Sequence, residues 1–197
     1  QWASQQWKTV TDKPLFMSVG FYRPHRPLQV PKPWFDQFPV ETIRRPAEPE
    51  GKDDWDDLSE FAKNLARSHA HKAFHKGLSD HESIVKNGQW DETIQAYHAS
   101  IAFVDKQIGR FLESLKKNPR GRNTYVMLVS DHGWHLGEKQ HWRKQALWEN
   151  TTRVPFIVSY PGKIPNNQIC DKPVSLIYIF PTLIDLTKSY FSSNLSA

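Results

Sequence analysis

One long amphipathic segment, followed by a short apolar run, most constrains how this chain folds. Between residues 91 and 116, apolar side chains recur at steps of three and four, at Ile94, Tyr97, Ile101, Val104, Ile108, Phe111 and Leu115. This spacing places them on one face of a helix. Asn118-Pro119-Arg120-Gly121 ends that helix, and Tyr125–Val129 follows as a short apolar strand. A helix that leads by a short turn into a buried strand predicts an α/β fold, with helices flanking a central, mostly parallel sheet.

The predicted strand Tyr125–Val129 is followed at once by Ser130-Asp131-His132-Gly133. An ionised carboxylate and an imidazole directly after a buried strand are costly unless something pairs with them. In open α/β sheets, ligands bind in the loops at the carboxyl ends of strands. Asp131 and His132 are therefore candidates for a metal or anion site. The alternative, in which Asp131 caps the next turn and His132 is an ordinary loop histidine, fits the pair equally well when it is considered alone.

Two more apolar runs, Pro14–Gly20 and Phe156–Tyr160, predict further strands. The first leads into Arg23-Pro24-His25-Arg26-Pro27, where two prolines restrict the backbone around His25. A solvated surface turn is the simpler interpretation of that loop. If Leu15–Val19 and Tyr125–Val129 are parallel, however, His25, Asp131 and His132 lie at the same rim of the sheet. A final helix is predicted near residues 174–186, with Pro181 marking a kink or its start.

Residues 28–90 are predicted to form an irregular and partly helical insertion. Their acidic cluster, Asp53-Asp54-Trp55-Asp56-Asp57, lacks the glycine of a calcium-binding EF-hand loop and is better suited to a helix N-terminus. The histidines of this region show no metal-ligand spacing, and they are predicted to be exposed: His69, His71, His75 and His81.

Charge and composition exclude several classes of protein. The formal net charge of +5 suits an anionic substrate as well as nucleic acid, but no nucleic-acid-binding motif accompanies it. No apolar run approaches the roughly 20 residues that cross a bilayer. Cys170 is the single cysteine, so the chain has no internal disulfide and no cysteine-based zinc site. Asn150-Thr151-Thr152 and Asn194-Leu195-Ser196 are glycosylation sequons, a motif that chance often produces.

Three segments in their order along the chain resemble a known family. They are FMSVGFYRPHRP, YHASIAFVDKQIGRFL and VSDHGWHLGEKQHWRKQALWENTTRVPFIVSYPG. Together they resemble the sulfatases of the alkaline phosphatase superfamily, and in particular the branch of iduronate-2-sulfatase and choline-sulfatase. The resemblance extends from about Pro14 to Leu186 and implies an alkaline-phosphatase-like α/β domain.

The resemblance also implies a reaction and its residues. Sulfatases hydrolyse sulfate esters with a formylglycine nucleophile, made from the Cys or Ser of a C/S-x-P-x-R motif, and with one Ca2+ ion. By resemblance, Asp131 and His132 are metal ligands, and His25 and Lys144 contact the sulfate group and assist departure of the leaving oxygen. The implied partner is a sulfated small molecule or carbohydrate. Sulfatases of this type are commonly periplasmic, lysosomal or secreted, although localisation is not readable from these residues.

The chain departs from the family pattern in two respects. It contains no C/S-x-P-x-R motif, and the paired aspartates that precede that motif in the family are also missing. Residues 1–197 are therefore predicted to be a partial catalytic domain that lacks the N-terminal nucleophile segment. Two alternatives stay open. One is a phosphatase or phosphodiesterase of the same superfamily, with His135 or His141 at a second metal. The other is a non-catalytic module that binds a sulfated or phosphorylated glycan through the basic side chains of Arg23, Arg26, Arg143 and Lys144.

Overall fold

A computed structural model describes residues 2–9, 13–47, 55–66 and 77–188. The chain divides into two compact units, Gln1–Pro161 and Gly162–Ala197. The first unit contains helices α1 (Trp2–Thr9), α2 (Lys32–Phe35), α3 (Glu60–Ala66), α4 (Asp80–Lys86), α5 (Trp90–Lys116) and α6 (Glu149–Thr152). Its strands are β1 (Val126–Val129), β2 (His135–Leu136), β3 (Trp142–Arg143) and β4 (Phe156–Ser159). Short 3-10 helices span Val40–Thr42, Pro119–Asn123 and Glu138–Gln140.

Helix α5 is the framework of the first unit and confirms the predicted helix over residues 91–116. Ile94 and Leu115 of its apolar face are buried, whereas Ile101 is 41% exposed. Helix α1 packs against it through Trp7, whose indole N–H donates to Ser114 Oγ and whose ring lies 5.3 Å from that of Phe111. The helix ends at the predicted place, because the Asn118 side chain accepts from the Arg120 N–H and caps the turn that follows.

The α/β fold class is confirmed, but the strand pairing differs from the predicted one. Strand β1 pairs with β4 antiparallel, with Val126 opposite Ser159 and Val129 opposite Phe156. Strands β2 and β3 form a second antiparallel pair. Residues 14–20 form no strand, and Phe16 is 81% exposed. The parallel alignment of Leu15–Val19 with β1 was therefore wrong for the described residues, since an apolar run indicates strand propensity but does not specify a partner.

The exposure of β1 and β4 also corrects the prediction that Tyr125–Val129 forms a buried strand. Val129 of β1 is 39% exposed and Ile157 of β4 is 58% exposed. Burial along β4 alternates from residue to residue. This alternation is typical of an antiparallel strand with one covered face.

Residues 28–90 contain α2, α3, α4 and one 3-10 helix among their described positions. Asp53, Asp54, His69, His71 and His75 lie outside the described residues. His81 is half-buried rather than exposed, because its ring lies 5.2 Å from that of Trp90 and its Nδ1 accepts from the Trp142 indole N–H. Helix α4 begins with a capping box, in which Ser79 Oγ accepts from the Glu82 N–H and Glu82 accepts from the Ser79 N–H.

The second unit contains a 3-10 helix at Leu176–Tyr178 and helix α7 at Ile179–Thr187. Pro181 lies in the first turn of α7, where a missing N–H costs little, so it marks the start of the helix as the sequence allowed. Asn194 lies outside the described residues. Among the helices that the structure describes, none combines the length and the apolar character required to cross a membrane.

Candidate active site

The loop that carries His25 is tied to itself by hydrogen bonds. His25 Nδ1 lies 2.8 Å from the Arg26 carbonyl oxygen and 3.0 Å from Tyr22 Oη. Tyr22 Oη in turn donates to the same carbonyl at 2.6 Å. A carbonyl only accepts, so Nδ1 carries the proton in this arrangement and Nε2 is left for a ligand. The predicted turn is therefore present, and it fixes both the tautomer and the direction of the imidazole.

Trp134 joins the His25 loop to the loop that carries Asp131 and His132. Its indole lies edge-on to the His25 ring, with centroids 6.0 Å apart. On the same indole, the His132 ring is stacked at 6.4 Å and the Tyr97 ring of α5 at 6.0 Å. The structure thus brings His25 and His132 to one aromatic side chain without a parallel strand pair. Sequence analysis missed Trp134, although a tryptophan two residues after a candidate ligand was the available indication.

Asp131, which is exposed, and His132, which is half-buried, bring two candidate metal-ligand atoms together. Asp131 Oδ2 lies 3.7 Å from His132 Nε2, and the Asp131 side chain is 86% exposed. His132 Nδ1 lies 2.9 Å from the Gly133 carbonyl oxygen, which assigns the proton to Nδ1 and leaves the Nε2 lone pair available. A carboxylate oxygen and an imidazole nitrogen at this separation are able to bind one divalent ion. Within the ranges that the structure describes, no third carboxylate, imidazole or thiol completes a metal cluster.

The backbone of this loop is held by α6. The Gly133 N–H donates to the Thr151 carbonyl at 2.7 Å, and the Trp134 N–H donates to the Asn150 carbonyl at 2.8 Å. A Cβ atom at Gly133 would lie 2.0 Å from the Asn150 carbonyl oxygen. Only glycine fits this close approach of two backbone segments. The direction of His132 and Trp134 therefore depends on α6.

Lys144 follows β3 directly and is half-buried. In the described part of the chain its ammonium group forms no hydrogen bond or ion pair, so the structure does not link it directly to His25, Asp131 or His132. Strand β3 itself is well supported. It pairs with β2, and the Trp90 indole N–H donates to the Leu136 carbonyl at 2.9 Å while its ring packs on Trp142.

An ion cluster that the sequence did not indicate lies between these loops. Asp80, at the start of α4, is only 8% exposed, and its Oδ2 lies 2.6 Å from Arg143 Nε and 3.9 Å from Arg26 Nη1. Arg26 follows His25, and Arg143 precedes Lys144. One buried carboxylate therefore connects the two loops that carry the predicted catalytic residues. The connection is invisible in the sequence because Asp80 lies 54 residues from Arg26 and 63 from Arg143.

His135 and His141 form a buried pair rather than an exposed ligand set. They are 1% and 2% exposed, and their ring centroids are 4.9 Å apart. Trp148 contacts both rings. Burial, together with the charges of His141 and Lys139, lowers the pKa of His135 to about 4. Within the described residues these two imidazoles are not part of a group of three or more side chains that could hold a second metal.

Glu138 accepts two hydrogen bonds near this histidine pair. Its Oε2 accepts from the Leu136 N–H at 2.6 Å, and its Oε1 accepts from Asn150 Nδ2 at 2.8 Å. Burial, together with the charge of Glu138, raises the pKa of Tyr97 to about 12, so this phenol stays protonated at neutral pH. The carboxylate thus fastens the turn after β2 to α6, which also holds the Asp131–His132 loop.

The fold and site together define an α/β protein in which a carboxylate and an imidazole lie side by side and Trp134 joins them to the loop of His25 and Arg26, an arrangement suited to a divalent cation and an anionic ligand. The family model described as Sulfatase matches residues 2–189. The chain belongs to the sulfatase family.

Several curated proteins are similar to this chain. A "Sulfatase" of Formosa agariphila is 37% identical over 186 residues, which cover 94% of this chain and 35% of that protein. An "Arylsulfatase" of Clostridium perfringens is 32% identical over 176 residues, 88% of this chain and 34% of that protein. The human "Iduronate 2-sulfatase" is 28% identical over 158 residues, 76% of this chain and 27% of that protein. The chain thus spans about a third or less of the length of these relatives.

A solved structure has the same fold. It is a protein in complex with its substrate D-glucosamine-2-N,6-O-disulfate, and the two structures agree with a TM-score of 0.61 at 20% sequence identity. The match covers 88% of this chain and 44% of the other. Because the identity is low, this likeness supports the fold and not the residues of the site.

Proposed function

We propose that this protein hydrolyses sulfate esters, with a sulfated sugar or glycan as substrate. The observation that carries the proposal is the family match over residues 2–189 together with the convergence of His25 and His132 on Trp134. The solved protein of the same fold binds a sulfated sugar, which supports this class of substrate. The remaining two thirds of such an enzyme, including a formylglycine nucleophile, would come from outside these 197 residues.

His25 and Lys144 are proposed to act on the sulfate group. With His25 Nδ1 bonded to the Arg26 carbonyl, Nε2 is the atom that faces a ligand, and in the protonated ring it donates to the leaving oxygen. The Lys144 ammonium forms no ion pair with a described residue, so its charge is available to the sulfuryl oxygens. General acid catalysis of this kind contributes roughly 100-fold to 10,000-fold in rate.

Asp131 and His132 are proposed to bind Ca2+. The carboxylate is a ligand of the type that Ca2+ prefers, and the imidazole presents an unprotonated nitrogen beside it. The other ligands required by Ca2+ would come from outside the described residues. Held by these two side chains, Ca2+ would supply Lewis-acid polarisation of a sulfuryl oxygen.

The test uses the full-length protein, produced with conversion of its nucleophile to formylglycine. Release of sulfate from 4-nitrophenyl sulfate and from D-glucosamine 6-O-sulfate is measured for the wild type and for His25→Ala, Lys144→Ala and Asp131→Asn. We expect each substitution to lower kcat/KM by about 100-fold or more. Arg110→Ala is the matched control, because Arg110 is exposed on α5 and, among the described residues, hydrogen-bonds only to Gln107.

Calcium and substrate class are tested in the same preparation. Removal of Ca2+ with a chelator is expected to abolish hydrolysis and its return to restore it, and calorimetry is expected to show weaker Ca2+ binding by Asp131→Asn. Faster hydrolysis of 4-nitrophenyl phosphate than of the sulfate would instead identify a phosphatase. The 197 residues expressed alone are expected to be inactive, so turnover by that pure fragment would contradict the predicted partial domain.

A further inference from the structure

We propose that Arg26, held beside Asp80 and Arg143, forms a subsite for a second anionic group of the substrate, next to the ester that is hydrolysed. The inference rests on the proposed function and narrows its substrate class. A substrate with one sulfate ester and a further sulfate or carboxylate would fill both positions. The family resemblance assigns no role to Arg26.

The cluster carries one positive charge in excess. Two guanidinium groups lie within 4 Å of a single carboxylate oxygen, Asp80 Oδ2. In the ranges that the structure describes, neither arginine pairs with any other carboxylate. Burial lowers the pKa of Arg143, the charge of Asp80 opposes that effect, and the charge of Arg26 adds to it. An anion bound at Arg26 would compensate the repulsion between the two guanidinium groups.

The two arginines differ in their exposure and in their distance from Asp80. Arg143 is 14% exposed and lies 2.6 Å from the carboxylate, so it neutralises the buried Asp80. The Arg26 side chain is 42% exposed, and its Nη1 lies 3.9 Å away, beyond hydrogen-bonding distance. Among the described residues none accepts a hydrogen bond from the Arg26 guanidinium, so its N–H groups remain available to a ligand. Their planar, forked arrangement matches the oxygens of a sulfate or a carboxylate in a bidentate manner.

The position of Arg26 places this subsite beside the reaction centre. Its carbonyl oxygen accepts from His25 Nδ1 and from Tyr22 Oη, so its backbone is fixed relative to the candidate acid. Arg143 precedes Lys144 and has φ of 73°, a left-handed conformation that is uncommon for a side chain of this size. Asp80 thus holds an arginine from each loop, and a substrate that engages His25 and Lys144 brings its neighbouring substituents close to Arg26.

Two other roles for Arg26 give different results and serve as outcomes of the test. If Arg26 bound the reacting sulfate itself, its loss would weaken all sulfated ligands equally. If it only supported the fold, its loss would lower stability without changing selectivity between ligands. Only a second-anion subsite predicts the loss of discrimination between ligands that carry one and two anionic groups.

The experiment measures dissociation constants of the full-length protein by calorimetric titration, with free sulfate assayed afterwards to verify that the ligand is intact. The probes are D-glucosamine-2-N,6-O-disulfate and its two monosulfates. We expect the wild type to bind the disulfate about tenfold or more tightly than either monosulfate. In Arg26→Ala the preference for the disulfate over the 6-O-monosulfate should fall to about twofold, with the affinity for the 6-O-monosulfate unchanged, and Arg26→Lys should retain part of that preference. Arg110→Ala should behave as the wild type.

Equal affinity of the wild type for all three ligands would overturn the inference, as would an equal loss of affinity for all three in Arg26→Ala. A preference that persists in Arg26→Ala would overturn it as well. Because binding is measured and not turnover, the two proposals fail separately. A protein that prefers the disulfate through Arg26 but releases no sulfate from any ester would refute the proposed hydrolysis and leave the subsite intact.

Discussion

The His25 imidazole lies edge-on to the indole of Trp134, with ring centroids 6.0 Å apart. The same indole is stacked with His132, so one side chain sets the positions of both the candidate acid and a candidate metal ligand. A displacement of about 1 Å in a catalytic group costs about 100-fold in rate. Trp134 is therefore a positioning residue whose removal would affect two functions at once.

Trp134→Ala is expected to lower kcat for an aryl sulfate by about 100-fold, with a smaller change in KM. Trp134→Phe keeps a ring between the two histidines and should recover most of the rate. Steady-state kinetics of the full-length enzyme test this, with Trp2→Ala as control, since Trp2 is 68% exposed on α1. Equal rates for Trp134→Ala and the wild type would rule out the positioning role.

Gly133→Ala is expected to destabilise the protein by more than about 2 kcal/mol, because the new methyl group would meet the Asn150 carbonyl oxygen and force the loop away from α6. Gly109→Ala is the matched control. A Cβ at Gly109 has no atom within 4 Å, and alanine in the interior of α5 should stabilise by about 0.5–1 kcal/mol. Urea unfolding of both variants measures the two effects, and a shift of the same sign in both would contradict the argument.

Asp80→Asn is expected to cost about 3 kcal/mol or more of stability, since it leaves the Arg143 guanidinium buried without its counter-charge. The double variant with Arg143→Met should recover most of that loss, because an apolar side chain of similar length replaces the unpaired charge. Chemical denaturation of the single and double variants provides the measurement. Failure of the second substitution to compensate would show that Asp80 acts through another contact.

Acid should destabilise the protein through His135. Burial holds its folded-state pKa at about 4, below its ordinary value of 6.5, so between these values the unfolded chain binds a proton that the folded chain does not. Stability is therefore complete above about pH 6.5 and falls as the pH is lowered toward 4, by an amount of the order of 1–3 kcal/mol. His135→Phe should reduce that slope. Unfolding free energies of the wild type and of His135→Phe, measured from pH 4 to 8, test this prediction. If stability depended on pH in the same way in both, the acid destabilisation would not come from His135.

The sequence predicted those features that local periodicity and local chemistry determine. Helix α5, the α/β class, and the loops around His25 and Asp131–His132 belong to this group. Local patterns did not predict that β1 pairs antiparallel with β4, or that residues 14–20 form no strand. Strand pairing depends on contacts between residues that are far apart in the sequence. For the same reason Asp80 was missed, since its ion pairs reach Arg26 and Arg143 across more than 50 residues.

The link between Asn150 and Glu138 has a practical consequence for producing this protein. Asn150 begins the sequon Asn150-Thr151-Thr152, its side-chain amide donates to Glu138, and its carbonyl accepts from Trp134. A sugar attached to that amide nitrogen would replace a donor hydrogen and place a bulky group between α6 and the turn after β2. In a secretory eukaryotic host, glycan attachment at Asn150 would therefore compete with assembly of the site. A host that does not glycosylate asparagine, or the Thr152→Ala variant of the protein, is the better source of homogeneous material.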